Sequence, residues 1–390
     1  MKRFLTLALA LALAVSLCAC GGASQPANTP LPTAGAPETE APQPTETPAP
    51  TETPAETPEP TPEPTPEPTP EPTPEPEPAY RNPFNGAPLE EPWTERPYII
   101  MFNNHVDALP QWGVSQADVL YEVLVEGSIT RMMGVFSDIS GLQKAGPTRS
   151  IRPYYLDLGL SYDAIFCHSG GSDDAYNRIW SEGLNNIDGC TAYKTIAFYR
   201  DQERLSRGVL TEHTQYTNGE LIHAVAEERG YREELKEPDS YSTGLNFVKD
   251  AAIENGEPAQ TVKVTFYDGY KSTYFYYNED TGRYAMQQYG GDYIDGNTGK
   301  QLEFDNVIAF SAESWILDDY GRRSFVLVNA SGKGYYANGG QIAPITWTHG
   351  GKNEPFHYYY EDGTEISLDP GRTYIGIIPH RYAGIGWMND

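Results

Sequence analysis

Residues 23–78 hold 20 of the chain's 33 prolines and 11 glutamates, with no Lys, Arg or Asp. A stretch of that composition has almost nothing bulky and apolar to bury, so it cannot close a core. Thr-Pro-Glu-Pro repeats from Thr57 to Glu75, and proline at this density favours extended polyproline II. At about 3.1 Å per residue the segment would reach on the order of 170 Å. Like charges along it resist folding back. A folded body must therefore begin near Tyr80.

Upstream, Lys2 and Arg3 precede an apolar run from Phe4 to Leu17. That run is shorter than the roughly 20 residues a membrane span needs. A basic start, a short apolar core and small residues at a break form the pattern of a secretory signal. The break, Leu17-Cys18-Ala19-Cys20-Gly21-Gly22, resembles a lipobox, in which a thiol is acylated and the chain is cut just before it. Cys20 fits because Ala19 is small; Cys18, preceded by Leu17, fits less well. The expectation is a signal over 1–19 and a palmitate-type anchor on Cys20, with the stalk over 20–79 holding the body off the outer face of the cell membrane. The alternative is a signal cut nearby and a soluble secreted product.

Charge sorts by segment. The formal total is −27; the signal carries +2 and the stalk −11, which leaves −18 on the body. So acidic a body excludes nucleic acid as a partner, because phosphate backbones need a basic face. Direct adhesion to anionic lipid is disfavoured for the same reason. Two cysteines remain in the body, Cys167 and Cys190. They could pair outside the cytoplasm or stay as two thiols; neither has CxxC spacing.

The fold class expected is α+β: a mixed α/β domain over 80–240, then a mostly antiparallel β domain over 241–390. Tyr98–Phe102, Val119–Val125 and Thr130–Phe136 read as strands, the last two as a hairpin across Glu126–Ile129. Ala164–Cys167 follows, then a helix from Asp173 to Trp180 capped by Ser172. Asn218 caps an amphipathic helix running to Arg229 and ended by Gly230. Beyond Asp239 the strands are Thr261–Phe266, Ser272–Tyr277, Arg283–Gln288, Val307–Phe310, Ser324–Val328, Ile345–Thr348, Phe356–Tyr360 and Thr373–Ile378. Gly, Asn and Asp separate them, as in a meander or small barrel.

Several ordered segments resemble one family: Arg96–Asn104, Ala117–Glu122, Glu126–Arg131, Gly146–Arg152 and His168–Ser172, then Asn338–Gly340, Ile345–Trp347 and Pro370–Thr373. They are similar to the YerB-like lipoproteins, whose paired N- and C-terminal domains have no established reaction. The resemblance covers nearly all of the body and implies its location and domain plan. One departure lies at Leu210–Tyr216, where the family tends to have Ala-Pro-His-Asn-Leu-Tyr; only His213 and Tyr216 carry over.

Gly146–Tyr155 is the stretch richest in chemistry. With Ser150 as a cap and Pro153 in the first turn, Arg149 and Arg152 would flank a helix start, where cations are unfavourable unless an anion joins them. Arg131 could add a third guanidinium, and His168, Ser169, Gly170, Gly171 and Ser172 form a strand-to-helix turn of the kind that lines ligand sites. This set is the candidate site for a carboxylate or phosphate. The competing reading is a structural network in which Glu122, Glu126 or Asp157 neutralises the arginines. Catalytic candidates are Glu122, Glu126, His168 and His213. No HExxH, EF-hand, Walker or GxSxG pattern occurs, so neither a metal nor a cofactor is expected.

The function expected is that of a membrane-anchored envelope protein, a binder in preference to an enzyme. Its ligand would be an anionic or glycan-type molecule such as a cell-wall fragment, or a partner protein. The alternatives are a wall hydrolase or transferase using Glu122 or Glu126 with His168 or His213, and a non-catalytic scaffold. Cys20→Ala should abolish incorporation of a labelled palmitate analogue and release the protein from membranes; continued membrane association would refute the anchor.

Overall fold

The computed structural model describes residues 77–380 and 384–388. The signal, Cys20 and nearly all of the stalk lie outside them. Thr73–Asp390 form one compact unit.

The strands that matter here are β1 Tyr98–Asn104, β2 Val119–Leu124 and β3 Thr130–Phe136, every residue of which is buried. Such continuous burial requires cover on both faces of a sheet. Helix α1 Pro153–Leu160, β4 Ile165–His168, α2 Asp173–Glu182, β5 Asn186–Asp188 and α3 Gly219–Glu228 complete the first half. The second half contributes β6 Glu257–Pro258, β7 Thr261–Tyr267, β8 Lys271–Asn278, β9 Arg283–Gln288, β10 Asn306–Ala312, β11 Ala330–Asn338, β12 Gln341–His349, β13 Phe356–Tyr360, β14 Thr373–Pro379 and β15 Gly384–Met388.

Both halves build one 11-stranded sheet, in the order β6-β12-β11-β10-β14-β2-β3-β1-β4-β5, with β13 paired to β12. β14 from near the chain's end lies between β10 and β2 and is parallel to both. The change of texture near residue 240 is thus a change along the chain, while in space the sheet runs through it. A second, antiparallel sheet contains β15, β7, β8 and β9 with two short strands. The second-half strands therefore divide between these two sheets and a separate pair, Ser314–Ile316 with Arg323–Phe325, which replaces the single meander or barrel expected from the sequence.

β2 shows how the layers stack. Successive strand residues face opposite sides. Tyr121 faces one layer, its hydroxyl 2.7 Å from that of Tyr162 just beyond α1. Glu122 faces the small sheet. There its fully buried carboxylate accepts from Thr273 Oγ1 of β8 at 2.7 Å, from Gln288 Nε2 of β9 at 2.9 and 3.0 Å, and from the Tyr374 hydroxyl of β14 at 2.7 Å. Asn104 Nδ2 donates at 3.0 Å and the Thr130 hydroxyl completes the set. The Lys271 ammonium lies 3.7 Å away; burial pushes its pKa down to about 8 against the pull of Glu122. Phe275, Phe304 and Tyr374 pack around this polar group.

Removing one side of a buried, paired charge typically costs about 3–5 kcal/mol. Glu122→Ala should therefore lower the unfolding free energy by that amount in urea titration. An unchanged midpoint would show that the carboxylate does not join the sheets.

Candidate ligand-binding site

β1, β2, β4, β5, β10 and β14 all run in one direction, since each is parallel to a neighbour or two antiparallel steps from one. Their carboxyl ends share one edge of the sheet, where ligand-binding turns of open α/β sheets collect. That edge carries Asn103–His105 at the end of β1, His168–Ser172 at the end of β4 and Asp188–Thr191 at the end of β5. The strap 145–151 is laced across it: Arg149 N donates to Met101 O at 3.0 Å, Ser169 N to Arg149 O at 3.1 Å and Ile151 N to Gly170 O at 2.9 Å.

The strap corrects the expected arginine cluster. α1 begins at Pro153, and its cap residue Arg152 is extended, with φ −131° and ψ 159°. Ser150 is not the cap; its hydroxyl donates to Ser169 O at 3.1 Å. On an extended chain, residues three apart face opposite sides, so Arg149 and Arg152 diverge. Arg152 and Arg131 are both buried and both pair with Glu126 Oε1, Arg131 at 2.8 Å. Burial pushes the Glu126 carboxyl up, but Arg131 and Arg152 outweigh it and hold its pKa at about 2. Arg131 also donates to Ser150 O at 3.0 Å. Asp157 is engaged elsewhere, by Arg178 at 2.7 Å. Arg131 and Arg152 are thus held inside the protein by Glu126, one carboxylate shared between two guanidinium groups.

The catalytic candidates do not converge. Glu122 is saturated inside the protein. Glu126 is clamped far from the pKa that acid–base work near neutrality requires. His168 is fully buried, donates through Nδ1 to Gly170 O at 2.9 Å and is kept neutral mainly by burial. Asp188, also buried, accepts from Gly170 N at 2.7 Å, Cys190 N at 2.9 Å and the Tyr176 hydroxyl at 2.7 Å. It ties the turn after β4 to the turn after β5. Gly170, at φ +82°, suits this turn, and a Cβ there would come within 3.2 Å of Ser150 Oγ and 3.4 Å of Cys190 Sγ. Ser172 caps α2 as expected, and Ser169 Oγ meets Thr148 Oγ1 at 2.5 Å.

Cys167 is buried and Cys190 exposed, and both are free thiols, so the disulfide is not formed. Burial and Asp188 push the Cys190 thiol up despite Arg200, Lys194 and Arg149 nearby. A protonated thiol is a poor nucleophile.

What the edge does present is Arg149. Its guanidinium reaches Glu212 at 3.1 Å, with side chains 27% and 50% exposed, so the pair is wet and separable. Beside it His213 stacks on His105, ring centroids 5.0 Å apart. Asn103 fixes the His213 tautomer. Its Nδ2 donates to Glu212 O at 3.1 Å and contacts His213 Nδ1 at 2.8 Å, while its Oδ1 accepts from His105 N at 3.2 Å. Nδ1 of His213 is therefore the acceptor and Nε2 carries the proton. Burial, then His105, lowers the His213 pKa and keeps the ring neutral. Ligating atoms of His105, Asp107 and His213 lie within 4.8 Å of one another, close enough to suggest a metal. An imidazole with Nδ1 already accepting offers an N–H instead, which suits an oxygen acceptor better than a cation. His105, Asn103, Lys194 and Arg200 were not singled out from the sequence; Asn103 was the legible one, inside the Arg96–Asn104 segment.

Two clefts lie away from this edge. One, of about 590 Å³, is lined by Arg96, Asp163, Arg232 and Lys352, and Arg232 binds Asp163 through both carboxylate oxygens. The other, of about 1210 Å³, is bordered by Glu90, Glu91, Glu220, Glu227 and Glu233, which would repel an anion.

Residues 85–232 match the family model described as protein of unknown function (DUF3048), N-terminal domain, and residues 262–375 match its C-terminal domain. The curated "Putative lipoprotein YerB" of Bacillus subtilis (strain 168) is 29% identical over 301 residues, 76% of this chain and 86% of that protein. The crystal structure of the YerB protein from Bacillus subtilis is similar with a TM-score of 0.67 at 27% identity, covering 78% of this chain and 99% of that one.

The Glu126 clamp sets an acid limit. Its folded pKa of about 2 lies below its ordinary 4.5, so the unfolded chain protonates first. The stability it contributes is complete above pH 4.5 and is lost as pH falls toward 2. Glu126→Ala should cost about 3 kcal/mol at pH 7, and the gap from wild type should narrow at pH 3 in denaturant titrations. A gap independent of pH would refute the clamp.

Proposed function

The chain belongs to the YerB-like family, and on that premise we propose that it is a lipid-anchored protein of the outer membrane face that binds an anionic envelope ligand. The relative's name as a lipoprotein agrees with the Cys20 motif and with the stalk. Among the described residues no helix is long and apolar enough to cross a membrane.

One observation carries the binding reading. In a body of charge −18, the carboxyl edge gathers Arg149, Lys194 and Arg200, whose charges all act on the exposed Cys190 thiol. Arg200 donates to Thr211 O, and neither it nor Lys194 has an ion pair among the described residues. Two exposed carboxylates lie there, Asp107 beside His105 and Glu212 in a bridge to Arg149 weak enough to yield to a ligand. A guanidinium can take a carboxylate or phosphate in a bidentate grip, and the His213 N–H adds a neutral donor. A binding role asks only for such donors. The rival hydrolase or transferase would need Glu122 or Glu126 with His168 or His213; Glu122 and His168 are fully buried, and Glu126 is clamped by Arg131 and Arg152.

The test is co-sedimentation of the full mature chain with purified cell-wall sacculi. Wild type should bind, with affinity falling as salt rises. Arg149→Ala should weaken binding at least fivefold without shifting the urea midpoint by more than about 0.5 kcal/mol, the range for an exposed pair. Equal binding by variant and wild type would overturn the reading.

A further inference from the structure

Trp180 is 72% exposed, on a helix that could have placed it inward. Its ring stacks on Tyr176 one turn earlier, with centroids 5.6 Å apart and planes 18° apart. An isolated exposed apolar residue needs no explanation. This one is held in a fixed orientation, and the ring that holds it borders the cationic edge. The Tyr176 hydroxyl donates to Asp188 Oδ2 at 2.7 Å. Its ring packs beside Gly171, 3.4 Å from where a Cβ would be. Asp188 joins the Tyr176 hydroxyl to the backbone of Cys190, and the turn after β4 bonds the segment that carries Arg149, Ser169 N donating to Arg149 O at 3.1 Å. These turns therefore link the Tyr176–Trp180 pair to the strap that bears Arg149.

Resting on the anion-binding reading above, we propose that the ligand is an acidic saccharide. A pyranose ring would lie on the Tyr176–Trp180 strip, and the carboxylate or phosphate of the ligand would be held by Arg149 with Arg200. The two halves of the surface match the two halves of such a molecule. A sugar ring has a face of C–H groups that packs on an indole while its hydroxyls stay wet. Its acid group has no place on an aromatic ring and needs the guanidinium.

The probe is the wall disaccharide of N-acetylglucosamine and N-acetylmuramic acid, as its free acid and as its methyl ester, titrated into the full mature chain by calorimetry. Wild type should bind the acid at least tenfold more tightly than the ester. Trp180→Ala should weaken both at least tenfold and keep their ratio; Arg149→Ala should collapse the ratio toward one. Trp180→Ala with unchanged affinity, or no disaccharide binding by a wild type that still binds sacculi through Arg149, would overturn the saccharide and leave anion binding standing. Equal affinity for acid and ester, together with sacculus binding indifferent to Arg149→Ala, would overturn both.

Discussion

A carboxylate buried without water costs several kcal/mol unless donors surround it. Glu122 meets that requirement with groups that cannot come from one part of the chain. Asn104 and Thr130 belong to the first half; Thr273, Gln288 and Tyr374 belong to the second. Each donor faces an unpaired charge if its strand moves away. The two sheets and the two halves are therefore locked through one side chain. The same lock fixes β14 beside β2, where Gly376 pairs with Glu122 in register. Apolar packing around it adds area, but the carboxylate adds direction, because only one register satisfies all its lone pairs.

From that register the ligand edge follows. With β14 and β2 parallel and β3 and β1 alternating beyond them, β1 is forced into the same direction as β2, and β4 and β5 add to it in parallel. Three consecutive turns thus open on one side. Asp188 then sets their spacing, because one carboxylate takes backbone N–H groups from two turns and a hydroxyl from α2. The edge is rigid where it is buried and adaptable only at its outermost side chains, Arg149, Glu212 and Trp180. That division is what a binding surface needs: a fixed frame with a few groups free to exchange partners.

Much of this was legible along the chain. The alternation of Val119–Val125 and Thr130–Phe136 gave their hairpin, and Ser172 and Asn218 cap the helices they were assigned. β11 was missed because Ser331, Gly332 and Gly334 read as loop; the glycines are there because a Cβ at Gly334 would come within 2.5 Å of Ala309 O on the next strand. No local pattern could place β14 between β10 and β2, since its partners lie far away in sequence. At the site, motif order pointed to the right edge, yet mis-sorted its arginines. The error came from continuing α1 back through Arg152. Helical spacing puts residues 149 and 152 on one face, extended spacing puts them on two, and a proline at the start of the helix leaves the preceding residue free to be extended.

That sorting decides what kind of recognition the edge can support. Arg152 was drawn inward to Glu126, so the protein keeps one guanidinium bound and leaves Arg149 for exchange. Around it the body is strongly acidic, and at physiological salt its field fades within about 8 Å. An approaching anion is therefore not steered from a distance; it is held only once it touches the edge. Contact-range attraction to a few cations gives modest affinity that salt erodes. A ligand that is to stay must add a component indifferent to salt, and apolar contact with an exposed, oriented ring supplies one. Cations and ring on one edge divide the work between charge and surface.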